Sequence, residues 1–270
     1  MDNTKAGSEV IKRSVQLLLV VLGILGLYYL YQYFFVSTRP TYSTLLSGSQ
    51  SSSTSPASPI IIPASSMIPM YEGGTFTIST WVYLNNWNYR IGMNKHILSI
   101  GGNTFDTLRV YLSPFSTQLN VRLQTKELNS VPSNTTPSIP SDNLLNSTAP
   151  TFFSTVQTNS ELTDSFAICD LPAIDMQRWV NITVSVDGRT CDIYMDGKLA
   201  RSCVLPSFYK VDTGYSAKLL NYGGFGGYIG NTTLYGTALN PAEIYSIYNS
   251  GPTPLSFFGN LSSILKPSSM

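Results

Sequence analysis

The sequence predicts an all-β fold, an antiparallel jelly-roll β-sandwich with one short C-terminal helix, preceded by a single N-terminal transmembrane helix. Three observations carry that reading. Ser14 to Val36, SVQLLLVVLGILGLYYLYQYFFV, contains no formal charge. Beyond Tyr71 the chain breaks into short runs of alternating apolar and polar residues bounded by Gly, Asn, Pro and Asp, the pattern of strands wet on one face. Near the end, Asn240-Pro241-Ala242-Glu243 opens a helix and Gly251 closes it, with an N-cap, a proline at the first position and a capping-box acid.

Residues 14–36 suffice, at helical rise, to cross a hydrocarbon core about 30 Å thick. Lys5, Lys12 and Arg13 precede the run and only Arg39 follows it closely. The short N-terminus, 1–13, is therefore expected on the cytoplasmic side and the C-terminal bulk on the opposite side. Tyr28, Tyr29, Tyr31, Tyr33, Phe34 and Phe35 crowd the second half, where amphipathic rings form a membrane-interface belt. A signal peptide would have a shorter apolar region followed by small residues. The bulky residues after Leu27 favour an anchor, with a lipid bilayer as partner.

Residues 37–70 are rich in Ser, Thr and Pro without periodicity and read as a linker, about 110 Å long if fully stretched. Its Ile60-Ile61-Ile62 run is a candidate docking patch, for a neighbouring protein or for its own domain. The sandwich is expected over 71–255, with strands at 75–84, 97–100, 108–112, 119–124, 180–186, 191–195, 198–204 and 228–234. Residues 126–165 are too long for a strand connection and read as an inserted loop whose Leu144-Leu145 and Phe152-Phe153 lie against a surface. Residues 256–270 form a tail.

Composition narrows the function. Charged residues make up 11% of the 270 and the formal net charge is +1, which leaves no electrostatic footprint for nucleic acid. Three cysteines and one histidine, His96, cannot build a tetrahedral zinc site. Cys191 and Cys203 flank Asp196-Gly197, and a regular two-residue hairpin there places Cys191 opposite Ser202, so free thiols are expected. Sequons begin at Asn134, Asn146, Asn181, Asn231 and Asn260, all beyond the apolar run. Asn181 falls inside an expected buried strand, where a glycan would not fit.

The stretches Phe76-Thr77-Ile78-Ser79-Thr80-Trp81-Val82, Trp179 to Gly188, Ile193 to Leu199, and Gly223 to Gly230 followed by Ala238 to Ile244 resemble the concanavalin A-like lectin/glucanase superfamily in its laminin-G-like branch. The resemblance spans roughly 71–251 and implies the sandwich fold, with each Asp-Gly in a tight hairpin turn. It also implies what to look for at a site. Hydrolases of that superfamily pair carboxylates on one strand, whereas Glu127, Glu161 and Glu243 here fall in two loops and a capping box. Calcium-binding relatives use a rim aspartate, whereas the matching place, Gly227-Tyr228-Ile229-Gly230-Asn231, carries no carboxylate. Asp106, Asp170, Asp175 and Asp212 are dispersed and read as solvated or capping residues. No catalytic residue, metal ligand or cofactor is therefore expected.

Trp81 and Trp179 read as core. Trp87, Tyr89 and Arg90, in the turn-like NNWNYR segment, are the candidate contacts with a ligand or partner, since an exposed ring stacks on sugar or protein and arginine adds hydrogen bonds. The alternative is a tryptophan folded over the sandwich edge. The expected function is structural: a non-catalytic, single-pass membrane protein docking onto other structural proteins of an assembly. It is similar in general plan to the membrane-tethered minor capsid proteins of large DNA viruses. A cell-surface or virion lectin binding glycan is the first alternative, and a divergent glycoside hydrolase the second.

Overall fold

The computed structural model describes residues 3–35, 41–52, 59–126, 149–156 and 169–253, and the chain divides into two units at Pro40 and Thr41. The first unit is helix α1, Asn3–Phe35. It begins well before the expected span because the Lys, Ala and Glu of the N-terminus favour helix. Its stretch Lys12–Leu30 is long and apolar enough for a membrane anchor or a signal sequence. Leu17 and Leu27 are 68% and 70% exposed.

The second unit is a two-layer antiparallel sandwich. Its strands are β1 (Tyr42–Leu46), β2 (Gln50–Ser51), β3 (Ile60–Pro63), β4 (Thr75–Leu84), β5 (Lys95–Gly101), β6 (Asp106–Leu112), β7 (Leu119–Leu123), β8 (Trp179–Asp187), β9 (Thr190–Met195), β10 (Lys198–Val204), β11 (Ser216–Leu219) and β12 (Gly227–Tyr235). Two short helices, α2 (Ala149–Ser154) and α3 (Pro241–Ser250), complete it. The larger sheet runs β1-β12-β4-β8-β9-β10, with β2 beside β12, and the smaller runs β3-β11-β5-β6-β7. Phe76, Ile78, Val82 and Leu84 of β4 and Val180, Ile182, Val184 and Val186 of β8 meet Leu98, Ile100, Leu108 and Val110 from the smaller sheet. Period-two alternation supplies these inward rows.

The expected linker is the main correction. Residues 42–63 supply an edge strand to each sheet, with β1 on β12 and β3 on β11. Ile60 and Ile62 pack against the core, while Ile61 remains 58% exposed. The Ile60-Ile61-Ile62 run therefore docks on its own domain, and only residues 36–41 separate α1 from β1. These edge strands escape a periodicity search because β1 buries Leu45 alone.

The cysteines are the second correction. Cys169 and Cys203 form a disulfide, their Cα atoms 5.9 Å apart, and Cys191 is free and buried. The Asp196-Gly197 turn has the positive φ values the sequence demands, 51° and 74°. The register then shifts between Leu199 and Arg201, which places Cys203 opposite Cys191. Burial and nearby Asp192 push the Cys191 thiol up to about 12. The disulfide ties edge strand β10 to the segment whose Leu171 N–H donates to Leu119 O of β7, at 2.9 Å. It thereby joins the two sheets.

Helix α3 forms as expected. Asn240 Oδ1 accepts from the Glu243 N–H at 3.0 Å, and Glu243 Oε2 accepts from the Asn240 N–H at 2.9 Å. The helix covers the outer face of the larger sheet, where Tyr248 stacks on Trp81 with centroids 5.7 Å apart. Trp81 is thus buried beneath a helix rather than between the sheets, and Trp179 is only half-buried, beside Tyr83. Asn181, Thr183 and Ser79 are buried there in a network of 2.9 to 3.1 Å hydrogen bonds, so the Asn181 sequon has no room for a glycan. Asn231 is half-buried and accepts from the Gly48 N–H. Asn134, Asn146 and Asn260 lie outside the described residues, as do Leu144 and Leu145. Replacing Asn240 with alanine is expected to cost about 1 kcal/mol, measured as a lower urea midpoint with an unchanged slope.

Candidate functional site

The segment 85–94 leaves β4 and returns into β5 at the strand ends, with the Gly92 N–H donating to Pro114 O just beyond β6 at 3.2 Å. Asn85 and Asn86 N–H groups donate to Gly226 O at 3.0 and 3.1 Å. This approach needs glycine, because a Cβ on Gly226 would lie 2.1 Å from Asn86 O. The three candidate contact residues come together here, and each is half-buried. Trp87 packs on the core edge with Lys95 Nζ 3.8 Å from its ring centroid. Tyr89 Oη donates to Gly223 O at 2.9 Å. Arg90, at φ 54°, donates from Nη2 to Phe153 O, and its Nε is buried without a hydrogen-bond partner. These side chains thus clamp the 85–94 loop, α2 and the glycine corner together. Asn85, Asn86, Asn88 and Ile91 form the exposed side of the loop.

Beneath α2, the outer face of the smaller sheet is a buried polar layer. Arg109 is 1% exposed and reaches Asp106 at 2.7 and 2.9 Å. Arg122 pairs with Asp170, both buried. Phe152 and Phe153 of α2 lie with Arg109 5.5 Å from each ring, and Phe153 packs edge-on to His96 at 5.1 Å. The expectation of solvated aspartates at 106 and 170 is corrected: both are salt-bridged inside the fold. Asp212 is also buried. Burial pushes its carboxyl up, but N–H bonds from Thr104, Phe105 and Thr213 outweigh this and hold it below the usual carboxylate range.

His96 and Ser99 have the side-chain types of a nucleophile and its base, 3.1 Å apart and fully buried. His96 Nδ1 accepts from the Asn221 N–H at 3.2 Å, so Nε2 carries the proton and faces Ser99 as a donor. That tautomer cannot take the serine proton. Burial, with Arg109 and Lys218 adding to it, drives the His96 pKa well below the usual histidine value and keeps the ring neutral. The sequence flagged His96 only as the lone histidine, because its partners are 3 and 125 residues away.

Calcium does not fit the matching place in β12. The Asn231 carboxamide oxygen already accepts from the Gly48 N–H at 2.8 Å. Among the described residues no three His, Cys, Asp or Glu side chains cluster as a metal site.

Lys95 offers a test of this region. Burial, with the nearby Arg90 charge adding to it, pushes its ammonium down to about 8, against about 10.4 for lysine in an unfolded chain. Between those values the unfolded state binds more protons, so this group makes stability rise with pH from about 8 towards 10. Below that window the group is charged in both states and contributes no slope. We expect the stability difference between the wild type and Lys95→Met to shift in favour of the wild type by roughly 2 kcal/mol across this window, since the buried Cys191 thiol, which acts in the opposite sense there, is common to both. An identical pH profile of the urea midpoint in the two proteins would contradict the assignment.

A second feature lies on the larger sheet beside α3. It is a cavity of about 240 Å³ whose lining includes Thr44, Ser79, Trp81, Asn231, Thr233 and Tyr235. None of its lining residues is charged.

The two facing antiparallel sheets and the short C-terminal helix are consistent with a concanavalin A-like β-sandwich. Residues 142–245 match a laminin-G model of the concanavalin A-like lectin/glucanase superfamily, so the resemblance read from the sequence holds over that stretch. No curated protein matches the chain. Similar solved structures include the binding domain of Paraclostridial Mosquitocidal Protein 1 (17% identity, TM-score 0.43, covering 79% of this chain and 47% of that one). The receptor binding domain of botulinum neurotoxin D matches at 12% identity and TM-score 0.45, covering 75% of this chain and 43% of that one. The serotype D ligand binding domain in complex with N-acetylneuraminic acid matches at 12% identity and TM-score 0.43, covering 78% and 42%. The chain thus spans less than half the length of each.

Proposed function

We propose that this protein is a non-catalytic, single-pass membrane protein whose β-sandwich works by contact, docking a bilayer onto other structural proteins of an assembly. The observation that carries this is the pairing of an apolar helix, Lys12–Leu30, with a sandwich whose buried aspartates 106, 170 and 212 are all engaged in structural bonds. A retaining glycosidase needs two free carboxylates about 5 Å apart, which argues against the hydrolase alternative. The basic residues Lys5, Lys12 and Arg13, ahead of the uncharged run from Ser14, support a cytoplasmic-side N-terminus, and the Cys169–Cys203 disulfide supports an oxidising compartment for the sandwich. The interfacial belt rests on Tyr28 and Tyr29, 54% and 69% exposed. The side chains of Tyr31, Tyr33, Phe34 and Phe35 lie outside those described. A minor capsid protein of a large DNA virus, tethering a membrane to a protein shell, fits this plan.

Extraction from the native source in mild detergent tests the docking role. Recovery in a complex with other structural proteins is expected, and recovery as a lone monomer contradicts it. The uncharged, hydroxyl-lined cavity beside α3 favours a second reading, a lectin that holds neutral glycan. Reproducible glycan-array binding by the full chain would put that reading first, and silence across the array would remove it.

A further inference from the structure

Strand register places the start of β1 at one rim of the larger sheet. Tyr42 lies opposite Tyr235, which lies opposite Thr77, while Thr75 lies opposite Asp187 and Thr190 opposite Val204. Segments 71–74 and 204–210 close the same rim. The Gly73 N–H donates to Tyr209 O at 3.3 Å, and the Phe208 ring lies 3.4 and 3.6 Å from where side chains on Gly73 and Gly188 would begin. Tyr42, Tyr71, Val204 and Phe208 are exposed there by 54, 65, 70 and 46%. Arg189 and Lys210 stand exposed beside them, and Lys126 bridges Glu72 at 2.6 Å.

We propose that this rim rests on the headgroup layer of the lipid membrane that α1 crosses. The inference depends on the anchored reading above and names the surface through which the sandwich meets lipid. Amphipathic rings and basic side chains are the groups that settle at headgroup depth. Chain length selects this rim: residues 36–41 join Phe35 to Tyr42, and seven Cα steps reach at most about 25 Å. So short a leash holds the rim at millimolar effective concentration near the bilayer, where a weak patch suffices. The opposite end also exposes an apolar residue, Ile91 at 55%. It lies beyond the length of β4, ten residues or about 33 Å away, and the leash does not deliver it.

The test uses the full chain in phosphatidylcholine vesicles containing anionic lipid, with one fluorophore attached at a time through Ser207→Cys at the rim, Asn88→Cys at the opposite end, or Ile24→Cys in the helix. Quenching is read with nitroxide carried on the lipid headgroups or the acyl chains. We expect acyl-chain quenching at 24, headgroup quenching at 207 at least threefold above that at 88, and loss of the excess on Phe208→Ser with Tyr71→Ser. Quenching at 24 with equal signals at 207 and 88 overturns the rim assignment and leaves the anchor standing. No quenching at 24 overturns both.

Discussion

Replacing Arg109 with methionine is expected to destabilise the sandwich by roughly 3–5 kcal/mol, the cost of leaving a buried charge unpaired. Asp106 Oδ2 accepts hydrogen bonds from Nε and Nη2 of that guanidinium, at 2.9 and 2.7 Å, and the residue is 5% exposed. Without the guanidinium the carboxylate is left unpaired in a poorly solvated site. Asp106→Leu combined with Arg109→Met should recover much of the stability, because well-packed apolar replacements of a buried pair are often neutral. Urea unfolding of the two single variants and the double variant measures this. Additive losses would show that the pair is not coupled.

Removing the disulfide through Cys169→Ser and Cys203→Ser should cost roughly 3–4 kcal/mol, from the entropy of a loop closed over that separation. The bridge spans 34 residues and joins β10 to the segment beside β7. Asp170, the partner of Arg122, sits within that segment, and its carbonyl accepts from Arg201. Loss of the bridge should therefore also loosen the buried ion pair, and hydrogen exchange at Leu171 and Ile174 should speed up before global unfolding. Alkylation gives an independent check. The native protein should expose no reactive thiol, because Cys191 is 0% exposed and its thiol is pushed up to about 12. Ready labelling of Cys169 or Cys203 without reductant would contradict the disulfide.

Strands with a strong local signal were legible. The expected limits 75–84 and 198–204 coincide with β4 and β10, the first through its alternation and the second because Asp196-Gly197 fixes the turn before it. The edge strands β1 and β3 were not legible. β1 and β3 lie in Ser- and Pro-rich sequence and are strands because β12 and β11 offer them free hydrogen-bonding edges, a tertiary cause that no local window contains. The cysteine pairing failed for a related reason: the register shift after Leu199 reverses which face Cys203 occupies.

The buried polar layer was equally hidden. Residues three apart on a regular strand face opposite ways, and Asp106 meets Arg109 where the pairing shifts between Ile100 and Gly101. Asp170 meets Arg122 across 48 residues. Trp87, Tyr89 and Arg90 were found by residue type and do converge. Two of their partners, Gly223 and Phe153, lie 134 and 63 residues away, which is why an outward contact was the expectation from sequence.

The account rests on a membrane-held sandwich, and alkaline carbonate washing of native membranes or particles tests that most directly. The full chain is expected to stay with the lipid pellet and to be released only by detergent. Its recovery in the carbonate supernatant, folded and free of lipid, would contradict the account.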